Sequence, residues 1–441
     1  MYKRFVRKKL ALSLILFFLL ISNSVSSTET EDVTFFRALG GVTEEEIPQD
    51  IEIKWERELG KGAIDSSPVV KDGRLVVRTS GIYDWEKGVF KEKPSLFCFE
   101  LSSGKEIWKT EIERGAGWEL STPLIYKEKV IVASTSGWVS AYDFFSGKKL
   151  WEKELENSSH YLGITSSPVA LASPQKDAIL VAHGSGILYS LSVSDGNLIW
   201  QKKLNGTIYF TTPVVEGEKI YVGTDSGFFY CLEAEDGSEI WKLTLKGKVR
   251  TTPFVDGEHL YLATTTYQDQ FTPTKGFLYH ILLKGNDVPE IKWIRKKEPS
   301  ASSVVGNGES VFFISGEYLV AVTEENETLW KYHVGEQVQS SLIYSKTSRI
   351  LIFTTNSEEG KVYAVDEKGR RAWAKNVKPA APLFATPLVA NGYIVVCGDD
   401  GSVHVFKEKE LNVNMSFPSF SSVVVLVIAV ALGVWLKKKV W

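Results

Sequence analysis

EDGSEIWKLTL, residues 235–245, places Gly237 four residues before Trp241 and then alternates apolar side chains down to Leu245. Glycine enters the left-handed backbone region without a Cβ penalty, so the phrase reads as a tight reversal feeding a strand with one apolar face. It recurs. Gly104, Gly147, Gly196 and Gly369 stand four residues before Trp108, Trp151, Trp200 and Trp373. In another copy Asn326 precedes Trp330 by the same four residues, and asparagine is the next residue to tolerate positive φ. A longer turn, KGNDVPEIKW, leads to Trp293.

Working outward, each phrase belongs to a larger unit that opens on a pair of small, mostly hydroxyl-bearing residues. SSPVV at 66, STPLI at 121, SSPVA at 166, TTPVV at 211, TTPFV at 251, SSVVG at 302, SSLIY at 340 and ATPLV at 385 mark eight starts about 45 residues apart. Four short strands in a period of that length indicate a β-propeller blade. A twisted sheet with two apolar faces must be covered on both sides, so the blades stack around an axis. Indoles at Trp55, Trp108, Trp151, Trp200, Trp241, Trp293, Trp330 and Trp373 then serve as docking residues between neighbours. The eighth copy ends at VHVF, 403–406, without a tryptophan strand, while IKWEREL, 53–59, carries one before the first copy begins. The expected fold is therefore all-β, an eight-bladed propeller closed by an N-terminal strand. The prolines after the opening pairs sit on innermost strands whose free edge faces the channel, where no ladder donor is lost.

The 441 residues carry a formal charge of −3, which conceals an uneven distribution. Lys3, Arg4, Arg7, Lys8 and Lys9 lead the chain and Lys437, Lys438 and Lys439 close it; removing those eight positive charges leaves about −11 on residues 28–436. An acidic body offers no electrostatic footprint for nucleic acid. The basic leader, the 12-residue apolar run LALSLILFFLLI and the small residues before Ser27 read as a secretory signal peptide, 1–27. An acidic lead-in, 28–50, precedes the propeller at 51–411, and a tether, 412–416, follows it. FPSFSSVVVLVIAVALGVWL, 417–436, carries no charge and reads as a transmembrane helix, with 437–441 as a cytoplasmic basic tail. The expectation is a single-pass cell-membrane protein with its propeller on the extracytoplasmic side. Cys98, Cys231 and Cys397 are too few for a disulfide framework and take repeat positions held elsewhere by small residues. NxS/T sequons at Asn157, Asn205, Asn326 and Asn414 suit an exported surface.

AYDFFSGKKLW, 141–151, resembles the AxDxxTGxxxW docking motif of the pyrroloquinoline-quinone (PQQ) repeat propellers, with Ser146 in place of threonine; CFELSSGKEIW and AVDEKGRRAW are looser copies. The resemblance extends from residue 35 to about 410. It implies either a quinoprotein dehydrogenase or a non-enzymatic, BamB-like scaffold. The dehydrogenase branch implies adjacent cysteines over the cofactor, a calcium site and an aspartate base, but no two cysteines here are adjacent. Asp399 and Asp400, in a GDDG stretch, read as a polar turn. No nucleophile elbow, HExxH, phosphate loop or calcium-loop spacing occurs.

Loop length separates the two propeller faces. Long segments beginning at 78, 113, 156 and 264 share one face, where they gather Arg78, Tyr83, Trp85, Arg114, Trp118, His160, Tyr161, Tyr209, Phe210, Arg250 and Tyr267. Long loops on a rigid scaffold commonly carry binding residues, and Tyr, Trp and Arg dominate interface hot spots. Blade-capping aromatics and arginines that satisfy loop carbonyls are the structural alternative. The expected function is a membrane-tethered binding or scaffold module for a protein or cell-envelope glycan, not an enzyme, with no catalytic residue, metal or cofactor. A membrane-bound PQQ-dependent dehydrogenase, which would need PQQ and calcium, is the alternative. The tether is expected to leave from the short-turn face, directing the long loops away from the membrane.

Overall fold

A computed structural model describes residues 36–37, 41–155, 162–173, 176–270 and 272–410. The signal peptide, the tether and the 417–436 span lie outside the described residues, as do His160 and Tyr161. Among the described residues no helix is long and apolar enough to cross a membrane.

Eight four-stranded antiparallel blades form an all-β propeller, the first seven running from an innermost strand outward in chain order. Blade 1 spans 69–111, blade 2 124–154, blade 3 169–203, blade 4 214–244, blade 5 254–297, blade 6 305–333 and blade 7 343–376. Blade 8 takes three strands from 388–408 and its outermost strand from Ile51–Glu58. That closing strand pairs with Ser402–Glu408 from Ile51 opposite Glu408 to Glu58 opposite Ser402.

Each indole reaches across to the next blade. Trp55 Nε1 donates to the Leu101 carbonyl of blade 1 at 2.7 Å, Trp108 to Phe144 at 3.0 Å, Trp151 to Val193 at 3.0 Å, Trp293 to Glu324 at 2.6 Å and Trp330 to Glu367 at 2.8 Å. Trp200 and Trp241 also pack at blade seams, in the blade 3–4 and blade 4–5 cores. On its own sheet the indole faces a small residue, as in the pairs Cys98–Trp108, Ala141–Trp151, Ser190–Trp200, Cys231–Trp241, Ala321–Trp330 and Ala364–Trp373. That is why two of the cysteines fall where they do; all three are free and buried.

The glycine of the opening phrase carries a second constraint. Gly237 has φ +72°, as its turn requires, but a Cβ there would also lie 2.7 Å from Trp200 of the preceding blade. Gly104 meets Trp55 in the same way, at 2.7 Å. Asn326 takes φ +71° in the sixth copy, and its side-chain oxygen accepts from Arg295 at 2.8 Å.

The acidic lead-in belongs to the propeller and is no mere preface. Phe36–Arg37 pair antiparallel with the innermost strand of blade 1, and Gly41–Thr43 pair parallel with that of blade 7. Two innermost strands therefore have partners along the channel, against the expectation of free edges. Val42 packs into both the blade 5–6 and the blade 6–7 cores. Copies 6 and 7 are the two whose opening pairs lack proline, and residues 41–43 lie against both of their inner strands. The lead-in then crosses to the outer edge, with Ile47 fully buried and the Pro48 carbonyl accepting Trp373 Nε1 at 2.7 Å. Pro48 stands seven residues before Trp55, as Leu101 stands seven before Trp108, so it supplies the docking turn that blade 8 lacks.

Candidate functional site

The opening Ser/Thr pairs build a belt around the axis. The backbone amides of Ser67, Thr122, Ser167, Thr212 and Thr252 each donate to the hydroxyl of the corresponding residue one blade on, Thr122, Ser167, Thr212, Thr252 and Ser303, at 3.0–3.2 Å. Ser341 N donates to Thr386 Oγ1 at 3.0 Å and Thr386 N to Ser67 Oγ at 3.2 Å, carrying the belt from blade 7 through blade 8 to blade 1. Among the described residues Ser341 Oγ has no partner, so the belt is open between blades 6 and 7, beside the lead-in. Buried donors are being satisfied here by short hydroxyl side chains where sheet pairing ends.

A small apolar core lies at the long-loop end of the inner strands. Leu120, Leu162, Tyr209, Phe210 and Ala301, from the inner ends of blades 2, 3, 4 and 6, form one buried apolar cluster, with Trp118 and Tyr267 packed on it. Phe210 is fully buried at φ +67°, a strained conformation for a bulky residue, and its amide donates to Thr165 Oγ1 at 2.9 Å.

Two buried ion pairs flank this cluster. Arg78 donates to Glu119 Oε2 and, through Nη1, to the Ala133 carbonyl at 2.6 Å, with both charged side chains fully buried. Glu119 also accepts from Ala116 N at 2.8 Å and Ser134 Oγ at 3.0 Å; burial nevertheless pushes its carboxyl up, with Arg78 opposing. Its amide donates to Ser80 Oγ, which in turn donates to Asp65 Oδ2 at 2.5 Å. Burial, then the charge of Asp399, raises the Asp65 carboxyl from the ordinary 3.8 to about 7. On the far side Arg250 holds Asp225 through Nε, at 2.8 Å, and Nη2, and donates to the Gln270 carbonyl at 3.0 Å. Its guanidinium lies 4.7 Å from the Tyr267 ring and 5.4 Å from that of Phe210.

Arg78, Tyr209 and Arg250 thus lie buried inside the face rather than on it. Glu119, Asp65 and Asp225 complete their networks and were not singled out in the sequence. A lone acidic residue in a loop carries no periodic signal, whereas the recurring Ser/Thr pairs that form the belt were in plain view.

What stays on the surface is an aromatic projection. Ile82–Asp84 and Val89–Glu92 form a two-stranded hairpin outside the blade sheets. Trp85 at its tip is 62% exposed, and Ile82 and Val89 are exposed beside it. Its ring lies 4.7 Å from Tyr83 and 5.5 Å from Trp118, which joins the hairpin to the cluster; Tyr83 also meets Phe90 at 4.9 Å. Gly117 lets the 113–119 loop approach, since a Cβ there would stand 2.7 Å from Tyr83 Cβ. Arg114 is exposed and lies 4.8 Å from the Trp138 ring.

A family model described as outer membrane protein assembly factor BamB matches residues 48–209, 204–275 and 315–416. The chain belongs to this PQQ-like repeat propeller family. Among solved structures it is similar to BamB from Moraxella catarrhalis, at 16% identity and TM-score 0.61, over 81% of this chain and 100% of that one. It is also similar to the quinohemoprotein alcohol dehydrogenase of Comamonas testosteroni, at 12% identity and TM-score 0.61, over 83% and 78%. A second quinohemoprotein alcohol dehydrogenase, from Pseudomonas putida HK5, aligns at 11% identity and TM-score 0.57, over 85% and 80%. A comparison with curated proteins finds none that matches. At these identities the structural likeness carries the fold and no further.

The PQQ-like family includes proteins that hold the quinone, and the residues of this channel do not fit it. The three cysteines lie in separate blades, each in a sheet core, with burial pushing the Cys98 and Cys231 thiols up to about 12. The channel edges of blades 1 and 7 are taken by the lead-in, and a buried apolar cluster from blades 2, 3, 4 and 6 lies at the long-loop end. The buried arginines are already engaged by Glu119 and Asp225.

Proposed function

We propose that this PQQ-like propeller is a non-enzymatic binding module that engages a protein partner through its long-loop rim, with the 82–92 hairpin as the anchor. One observation carries the reading: a tryptophan 62% exposed, braced by Tyr83 and Trp118, on a two-stranded hairpin that has no counterpart among the described residues of the other blades. Rigid aromatics bury a large area on binding at small entropic cost, and an exposed indole held in place favours a macromolecular contact. The description of the matching family, an assembly factor, suits a partner that is itself a protein. The signal-like leader and the uncharged 417–436 stretch support placing the propeller outside the cell on a single span.

A photo-crosslinker at position 85, activated in native membranes, should yield a discrete adduct. Trp85→Ala and Trp118→Ala should each reduce capture of that partner at least tenfold, the loss expected of an interface hot spot. Trp85→Ala should change folding stability by no more than about 0.5 kcal/mol, as an exposed substitution does. Capture that survives both substitutions would overturn this assignment. Adding PQQ and calcium should leave the quinone spectrum unaltered, and a stoichiometric, reducible chromophore would restore the dehydrogenase reading.

A further inference from the structure

In six blades the residue facing the docking tryptophan is alanine, serine or cysteine, and in blade 8 Val405 faces Trp55; blade 5 alone places a histidine there, His280 opposite Trp293. A buried imidazole is a poor substitute for a methyl group under an indole, so packing does not account for it. His280 is 1% exposed, stacked on Tyr261 at 4.6 Å and edge-on to Trp293 at 5.4 Å. Its Nε2 lies 2.9 Å from Nδ1 of His259, the first residue of the adjacent strand. At the equivalent position of blade 1, Arg74 reaches over to the next blade and bonds the Phe145 carbonyl; His259 reaches instead to Glu324 Oε1 of blade 6, at 3.3 Å. The three donor atoms fall within 4.8 Å of one another.

We propose that His259 Nδ1, His280 Nε2 and Glu324 Oε1 bind a zinc(II) ion at the seam of blades 5 and 6, on the short-turn side. Two imidazoles and a carboxylate are a borderline ligand set suited to zinc and mismatched to calcium or magnesium, which take oxygen ligands alone. Tetrahedral ligands about 2.0–2.1 Å from zinc stand roughly 3.3–3.4 Å apart. The His259–Glu324 separation already has that value, and the two imidazoles, now sharing a proton, need to part by only a few tenths of an ångström. His280 is fixed by the two aromatic rings, and the backbone of Glu324 is fixed by Trp293, whose Nε1 donates to its carbonyl at 2.6 Å. The site is anchored by the same indole that docks the blades. His259 and Glu324 reach solvent, so the fourth position falls to water and the ion exchanges with the medium. The proposal stands apart from the long-loop rim, since these turns lie at the opposite ends of the strands.

The test uses the full chain, stripped with a chelator and titrated with zinc(II) and, as a spectroscopic stand-in, cobalt(II). One equivalent should bind, with the visible absorption of four-coordinate cobalt, and zinc should abolish that band. Glu324→Gln and His259→Gln, both at solvent-reached positions, should weaken zinc binding by about 100-fold or more, beyond the 10–100-fold typical of a lost supporting residue. Both variants should unfold at the wild-type midpoint without metal. His333→Gln, which alters an exposed histidine beside Glu317, should bind zinc as the wild type does. Absence of binding, octahedral cobalt, or unchanged affinity in the Glu324 and His259 variants would each overturn the site.

Discussion

At Gly104 two demands meet in one residue: a turn that needs φ +69° and an indole ring 2.7 Å from where a Cβ would stand. Gly104→Ala should therefore cost about 1–3 kcal/mol, the range of a residue forced into an unfavourable backbone region. Trp55→Ala removes the ring from the other side together with its bond to Leu101, and should cost about 3 kcal/mol, the lower end for aromatic truncations, since the ring is only partly buried. Urea unfolding of the two single variants and the double measures both effects; the double should lose less than the sum, because removing the Trp55 ring relieves the clash that a Cβ at position 104 introduces. Asp65 makes the residue scale sensitive to pH. A carboxyl whose folded-state pKa is raised is stabilised by its proton, so the contribution is intact below the ordinary 3.8 and lost as pH rises to about 7. The groups facing it are Ser80, Asp399 and Glu119. Asp65→Asn should flatten the fall in the wild-type unfolding midpoint across that window, by on the order of a few kcal/mol at the upper end. Parallel pH curves for the two proteins would disprove the assignment.

Among the elements, the lead-in departs most from its appearance as a polar preface. Residues 41–50 contribute a parallel strand to blade 7, a valine shared by two cores, a fully buried isoleucine and the carbonyl that receives Trp373. Ile47→Ala should destabilise the protein by about 2–4 kcal/mol, a core value, where a surface segment would show about 0.5. The chemical denaturation midpoint reads this directly. By contrast, the 82–92 hairpin, the element that carries the exposed Trp85, lies outside every blade sheet.

For the molecule as a whole, closure is the governing fact. The first and last segments of the propeller meet in one sheet, and the hydroxyl belt crosses the same seam from Thr386 to Ser67. Every blade then has two neighbours, and opening the ring exposes two apolar faces at once. A chain lacking residues 28–58 but retaining its leader should lose its single cooperative transition and become sensitive to limited proteolysis in blades 1, 7 and 8. Retention of a wild-type transition would show that the ring does not depend on its clasp.

Repetition made the architecture readable in advance. The eight Ser/Thr starts, the glycine-to-tryptophan spacing and the orphan strand at 53–59 are periodic, local signals, and a closed stack of eight sheets is the arrangement that buries all of their apolar faces. The departures from the period needed the fold. Lead-in pairing along the channel, the apolar cluster drawn from separate blades and the burial of Arg78 and Arg250 against Glu119 and Asp225 join residues far apart in the chain. Even the reason for the glycines was half hidden, since the ring that presses on Gly237 belongs to Trp200 of the blade before it. Local periodicity determines which strands form and which faces are apolar, because those follow from backbone geometry one residue at a time. Which side chains meet across the seams is decided only when the circle closes, since blade stacking sets those distances and no single blade contains them.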